Sequence, residues 1–464
     1  MVEASARPTR EQVNRLAAAF GGDVILPDHA AYDDARRVWN AVFDRRPALV
    51  LRPASVADVA AAIRFGRDHD LEIAVRSGGH SASGHSTCDG GLVIDLARLR
   101  GVTVDERART ARANGGALLG ELDIAAQAEG LVCPVGVIGH TGVAGLTLGG
   151  GVGRLQRHFG LTIDSLRAVE LVTADGRSIR ASATEEPDLF WGIRGAGANF
   201  GIVTALEFDL HPFGPLLHRG ARIYPASSVH ELWATFRAFA RSAPDAVSFI
   251  FAIGRAEPAS DYPEAVAGQP IVIVGYNHSG AADVVDRDIA PLLAGPEPAS
   301  ATSGSQPYLE VQVANDEAMA WGGRSFIRGG YANDLRPEVL DALVEHVARS
   351  PGDGSVSITA QGDAISRVAE DATAFTGRYS AFDVSADTAW SDPALDEVNR
   401  EWVRRAMAIA EPDTIPGRYA NENADFGPAE TRATYGDAKM ARLTALKRTW
   451  DPENVFHLNH NVAP

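Results

Sequence analysis

Residues 135–161 read VGVIGHTGVAGLTLGGGVGRLQRHFGL. Eight of its glycines, at 136, 139, 142, 145, 149, 150, 151 and 153, crowd one short stretch. Each glycine inside a helix costs up to about 1 kcal/mol relative to alanine, and a tight turn needs only one or two. The pattern predicts an extended loop whose backbone amides lie open to a flat ligand. Two more clusters flank it. Upstream, RSGGHSASGHS (76–86) follows the strand-like LEIAVR (71–76). There Gly78 and Gly79 let backbone N–H groups converge on an anion such as a pyrophosphate, and His80 places a nucleophilic imidazole at the end of that nest. Downstream, DLFWGIRGAGANFGIVT (188–204) surrounds Asn199 with Gly195, Gly197 and Gly201. These glycines precede a strand instead of opening a helix, which argues against the strand–GxGxxG–helix order of a nicotinamide dehydrogenase.

Around these clusters the chain alternates strands and helices. A helix over about 10–20 leads to a strand near 23–26. ALVLRP (48–53), the helix VADVAAAIRFGRDH opened by Ser55, and LEIAVR make a β-α-β unit. GLVIDL (91–96) and ARTARAN (108–114) read as strands, and 117–129 as a helix. LRAVELVTADGRSIRAS (166–182) is a hairpin turning at Ala174-Asp175-Gly176, and VTALEFDLH (203–211) is a further strand. At Pro212-Phe213-Gly214-Pro215 the texture changes. From there strands such as FIFAIG (249–254) and QPIVIVGY (269–276) alternate with helices as a second domain, and a last helix covers about 436–449.

The 464 residues allow two to three domains at roughly 150 each. A net charge of −17 makes nucleic acid a poor partner. With no apolar run of 18 residues and no signal-like start, no membrane span is expected, and a cytoplasmic location is. Cys88 and Cys133 cannot build a disulfide framework. His85, His158, His457 and His460 show no metal-ligand spacing, so no metal site is expected.

In order along the chain, RSGGHS, GHTGVAGLTLGGGVG, GIRGAGANFGIVT and the ending DPENVFHLNHNVAP resemble the FAD-linked oxidases of the vanillyl-alcohol-oxidase superfamily. Within it, the motifs more closely resemble the branch related to berberine bridge enzyme and 6-hydroxynicotine oxidase. It implies an α+β fold in two domains: a PCMH-type FAD-binding domain (1–215), an inserted antiparallel-sheet-plus-helices substrate domain (216–418), and a C-terminal segment (419–464) returning to the first. It implies FAD held covalently through the flavin 8α-methyl by His80. The backbone from Arg76 through Ser77, Gly78 and Gly79 to Ser81 would bind the pyrophosphate, with Gly84 and His85 in the same loop. Thr141, Gly142, Val143, Gly145 and Leu146, with Gly149, Gly150 and Gly153, would line the isoalloxazine and ribityl chain. Asn199, Gly201 and Val203 would meet the adenine side, and Asn459 or Asn461 the pyrimidine edge.

Some members carry a second link, from a cysteine to flavin C6. Aligned on Gly149-Gly150-Gly151, that position falls near Ile138 to His140, so Cys133 begins about five residues too early and a single link is expected.

The resemblance implies hydride abstraction from a C–H next to oxygen or nitrogen of a small organic substrate, with O2 going to H2O2. The alternatives are a flavin dehydrogenase with another acceptor, or a flavin-N5-oxide oxygenase, whose oxygen-binding edge His140-Thr141 and Leu146 resemble. Tyr419 in Y-A-N, with Asn421 behind it, matches the family tyrosine at the flavin face. Gln361 occupies a region where relatives place a polar or acidic group, and His140 is a candidate base. Arg378 and Tyr379 are candidates for shaping the pocket. A monomer or homodimer is expected.

Overall fold

The computed structural model describes residues 8–256 and 262–464. Strands β1 (Asp23–Ile25), β2 (Leu49–Arg52), β3 (Ile73–Arg76) and β4 (Leu92–Asp95) form one sheet in the order β1-β2-β4-β3. β4 runs parallel to both β2 and β3, and β1 is antiparallel to β2. The crossover helix Val56–Asp68 starts where Ser55 accepts a hydrogen bond from the Asp58 amide at 3.2 Å. Asp58 turns back to the Ser55 hydroxyl and to the Ala54 and Gly21 amides, locking the helix start to the preceding loop. The residues of β4 are all buried, as an apolar strand flanked by parallel neighbours requires.

The second sheet holds β5 (Val102–Asp105), β6 (Thr110–Asn114), β8 (Leu166–Val172), β9 (Ser178–Ser182) and β10 (Ile202–Asp209), ordered β5-β6-β10-β8-β9 and antiparallel throughout. β7 (Leu131–Val132) pairs with β11 (His211–Pro212). The expected hairpin is β8–β9, turning through Gly176 at φ +82°.

Among the described residues every strand beyond Pro215 joins one eight-stranded sheet. It comprises β12 (Leu216–Pro225), β13 (Val247–Arg255), β14 (Pro270–His278), β15 (Ser300–Pro307), β16 (Arg324–Ala332), β17 (Ser355–Ala360), β18 (Phe382–Trp390) and β19 (Thr414–Ile415). All its pairings are antiparallel. The period-two pattern divides its faces. Val356, Ile358, Ala360, Phe382, Val384 and Ala386 pack into one core with Trp233, Phe236, Leu343 and Trp402 from helices Val229–Ala240, Pro337–Val347 and Asp396–Ala410. The alternate residues Ser355, Ser357 and Thr359 of β17 and Asp383, Ser385 and Asp387 of β18 make the opposite face polar there.

Two expectations need correction. The last helix runs from Pro428 to Trp450 and is broken at Gly436 (φ +69°), because Pro428 starts a turn ahead of the apolar pattern. Residues 143–149 are helical instead of extended. Among the described residues no helix is long and apolar enough to cross a membrane.

Candidate active site

A cavity of about 710 Å³ lies between the polar face of the large sheet and the glycine-rich segments. Its floor is largely backbone. The loop after β3 contributes Ser77, Gly78, Gly79, His80 and Ser81, with His85 beyond; the segment after residue 140 contributes Thr141, Gly142, Gly145, Leu146 and Gly149. The two segments meet main chain to main chain. A Cβ on Gly78 would stand 2.1 Å from the Gly142 nitrogen, an approach only glycine permits. The helix Val143–Gly149 survives its glycines because Val143, Ala144 and Thr147 are buried, and tertiary packing decides helix stability. Gly145 lines the cavity, and a Cβ there would meet no atom within 4 Å.

The far end is closed by the C-terminal tail. Asn199 Nδ2 donates to the Ala196 and His460 carbonyls at 3.1 and 3.4 Å, and its Oδ1 accepts from the Val462 amide at 2.9 Å. Asn199 therefore pins the tail while also lining the cavity, as do Gly153, Gly201, Val203 and Asn459. Beneath them Lys447 is fully buried. Its Nζ donates to Asp451 Oδ2 (2.7 Å) and to the carbonyls of Asn199 (2.9 Å) and Phe456 (2.8 Å). This tether was not anticipated, although Lys447 lies one helical turn before Asp451, the first residue of the DPENVF ending.

Several expected cofactor contacts stand behind the wall. Arg76 turns its guanidinium away, to Asp95 at 2.7 Å and to the carbonyls of Arg37 and Ala35. Gly84 packs on Phe43, Gly150 on Phe375, and Val143 belongs to the core. None of these four lines the cavity, nor does Asn461. Neighbours on an irregular loop alternate between facing inward and packing outward, which the motif alone does not resolve. Arg378 pairs with Asp164 at 2.7 Å in the interior and Tyr379 is 64% exposed, so neither shapes the pocket. Cys133 is a buried member of the apolar core with its thiol pushed well up by burial, whereas Ile138 lines the cavity.

The candidate catalytic residues separate. Tyr419 lines the cavity, but its hydroxyl accepts from the amides of Gly151 (3.2 Å) and Val152 (3.3 Å) and from Asn421 Nδ2 (2.9 Å). Burial pushes its pKa well up, so it offers the cavity a proton donor and no base. Asn421 also donates to the Leu146 carbonyl at 3.0 Å, joining Tyr419 to the glycine floor. Gln361 is buried and lines the cavity. His140 does not line it. It stands behind His80, with His80 Nε2 and His140 Nδ1 2.7 Å apart. Burial, then the neighbouring His140, lower the His80 pKa to about 3. His85 is likewise pushed down to about 3, by burial first.

Three carboxyl groups complete the sheet side of the cavity, none of them anticipated: Asp383 and Asp387 on β18, and Glu422 in the turn Ala420–Glu422. Ala424 donates to the Ile327 carbonyl, which docks that turn along β16, the neighbour of β18. Asp383 is 6% exposed and its Oδ1 has no hydrogen-bond partner. Burial pushes Asp383 up to about 7 and Asp387 to about 6. Glu422 is also raised well above the usual carboxylate range, by burial and then by the charges of Asp383 and Asp387. The signal was the alternation in FDVSADTAW, where every second residue from Asp383 to Asp387 is polar. Among the described residues no group of three or more His, Cys, Asp or Glu side chains is disposed to hold a metal ion.

Two family models match the chain: an FAD binding domain over residues 47–182, and berberine and berberine like over 418–463. (R)-6-hydroxynicotine oxidase of Paenarthrobacter nicotinovorans is 31% identical over 462 residues, covering 96% of this chain and 97% of the relative. An FAD-linked oxidoreductase of Aspergillus terreus is 30% identical over 495 residues, covering 98% and 96%. The crystal structure of 6-hydroxy-D-nicotine oxidase from Arthrobacter nicotinovorans superposes with a TM-score of 0.85 at 30% identity, covering 96% of this chain and 98% of that one. The residues present fit FAD. The floor is bare of side chains at Gly78, Gly142 and Gly145, and the volume is in the upper part of the roughly 300–1,000 Å³ range of ligand sites. Asn459 Oδ1 and His460 Nδ1, both buried in residues of the tail wall, lack partners within the protein. The chain belongs to the berberine-bridge-like family of FAD-linked oxidoreductases and is an FAD-dependent oxidoreductase.

Proposed function

We propose that this chain is an oxidase acting on a C–H bond next to oxygen or nitrogen of a small organic substrate, with O2 as final acceptor and H2O2 as product. When bound, FAD supplies the hydride acceptor. The observation that carries the reading is the buried Asp383 with the half-buried Asp387 and Glu422, on the sheet side of a cavity whose other side is a backbone floor. Loss of hydride from such a carbon requires its O–H or N–H proton to leave, and a carboxylate with a pKa near neutrality is matched to that task. Asp383, with an unpartnered oxygen, takes that proton; Glu422 and Asp387 beside it are the groups to which it can pass. Ser357, Thr359 and Ser385, which share the polar face, hydrogen-bond and orient the substrate. Tyr419, at the head of the Ala420–Glu422 turn, donates its proton and keeps the floor in place through Gly151 and Val152.

Anaerobic mixing with a panel of amines, alcohols and sugars, followed by air, tests this. The expected result is bleaching by one class and rapid recovery of colour with one H2O2 per turnover. Slow recovery without peroxide would instead indicate a dehydrogenase with another acceptor, and oxygen from O2 appearing in the product would indicate a flavin-N5-oxide oxygenase.

His80 is our candidate for covalent attachment, because its ring lines the cavity beside the Gly78-Gly79 turn. His80→Ala should fold and bind FAD but release it all into the supernatant on acid precipitation. Colour remaining in the pellet would place the link elsewhere. Tyr419→Phe should retain flavin and slow turnover about tenfold. It should also lower stability by about 1–3 kcal/mol, since the Gly151 and Val152 amides lose their buried acceptor. Turnover and stability both at the level of the parent protein would reduce Tyr419 to packing.

A further inference from the structure

We propose that His140 is the base that activates His80 for attachment to the flavin, an inference that rests on the reading of His80 as the attachment residue. The tautomers follow from the hydrogen-bond chain. His140 Nε2 lies 3.4 Å from the carbonyl oxygen of Asp316, which can only accept, so His140 carries its proton on Nε2. Its Nδ1 is then an unprotonated acceptor, and the proton in the 2.7 Å contact belongs to His80 Nε2. That leaves His80 Nδ1 with a free lone pair, and this nitrogen has no hydrogen-bond partner among the described residues. The arrangement is braced. Trp39 stacks on His80 with centroids 4.9 Å apart and planes 15° from parallel, and Trp321 meets it edge-on at 6.2 Å. Asp316 Oδ1 accepts from the Gly139 amide at 2.7 Å, fixing the residue next to His140 to the same anchor.

The chain of contacts runs carbonyl, His140, His80, cavity, with every proton pointing away from the reacting nitrogen. In the attachment step the Nδ1–C8α bond forms, and one C8α–H bond and the His80 Nε2–H bond break. Without a base, His80 would be left as an imidazolium in a setting whose burial opposes charge. His140 Nδ1 receives that proton at 2.7 Å and, being only partly buried, can pass it to solvent. The two electrons released go first to the flavin ring and then to O2. The oxidant leaves as H2O2, carrying the equivalents of the two hydrogens lost, so atoms and electrons balance. This assigns His140, which does not line the cavity, a role through His80 and none on substrate.

The test follows acid-stable flavin with time after FAD is added in air to full-length protein produced under flavin limitation. The parent protein should convert bound FAD to acid-stable FAD with one H2O2 per attachment. His140→Ala should bind the same total flavin but attach it about 10²-fold more slowly or worse, and added imidazole should restore the rate. His140→Gln, which can accept the His80 hydrogen bond but cannot take its proton, should be equally slow; should the alanine variant fail to bind FAD, this variant carries the test. Attachment by His140→Gln at the parent rate would show that His140 only orients His80, and would overturn the proposal, as would a parent rate in His140→Ala. If the parent protein itself releases all its flavin into acid, the reading of His80 fails before any His140 variant is consulted.

Discussion

Replacing Asp383 by Asn is expected to lower kcat/KM by about 10²- to 10⁴-fold while the flavin stays bound, the range typical of removing a positioned general base. The amide keeps the shape of the carboxyl and loses its capacity to take a proton. Burial drives the expectation, because it raises Asp383 to about 7 and leaves one of its oxygens without a partner. The same shift fixes the sign of the pH dependence. The working form is the carboxylate, and a raised pKa means that it is depleted on the acid side. kcat/KM should therefore rise with pH, about tenfold per unit below the pKa, and level off above about 7. The groups facing this proton are Asp387 on the same strand, Tyr331 on β16, and Tyr419 and Glu422 on the segment docked beside them. Apparent values therefore belong to the set. Rapid-mixing measurement of anaerobic flavin bleaching against pH checks both statements. Parent-like bleaching in Asp383→Asn with an unaltered profile would remove Asp383 from the chemistry; a loss confined to Glu422→Gln would transfer the role to that residue.

The second large effect is on stability. Lys447→Met is expected to destabilise the protein by about 3–5 kcal/mol, because it strands the Asp451 carboxylate in the interior without its cation. It also removes the donor shared by the Asn199 and Phe456 carbonyls, which hold the tail against the cavity. In the His80→Ala background, where the flavin is held without a covalent link, flavin retention should weaken together with stability, a coupling that a surface charge change would not produce. Guanidinium unfolding at fixed excess FAD, compared with gel filtration of bound flavin, reads both. Combining Lys447→Met with Asp451→Asn should recover part of the loss, since a neutral amide removes the stranded charge and its one oxygen still accepts one of the two amides, Val455 or Phe456, that the carboxylate now receives. A cost below about 1 kcal/mol for the single change, as for an exposed pair, would mean the tether is not desolvated.

The β-α-β unit, the β8–β9 hairpin and the glycine floor were legible because their causes are local. Ser55 caps the helix that follows it, Ala174-Asp175-Gly176 favours a tight turn, and Gly78 and Gly142 admit close backbone approach whatever lies beyond them. The resemblance carried by the four motifs supplied the family and FAD. Local pattern misled where packing overrode it, as in Val143–Gly149, whose buried Val143 and Ala144 offset the glycine cost.

What the sequence by itself determined is the chemistry available at each loop: a backbone cradle, an imidazole beside it, and a tail able to close over a flat cofactor. Which side chains face the reaction was decided only by the tertiary structure. The alternation in β18 says that Asp383 and Asp387 share a face, but that face becomes the wall of a cavity only because β16 and β17 pair on either side and the Ala420–Glu422 turn docks alongside. His140 and His80, sixty residues apart, exchange a hydrogen bond for the same reason. Long-range packing brings such groups together and strips water from Asp383, Asp387 and His80, and that loss of water is what shifts the proton affinities of those three.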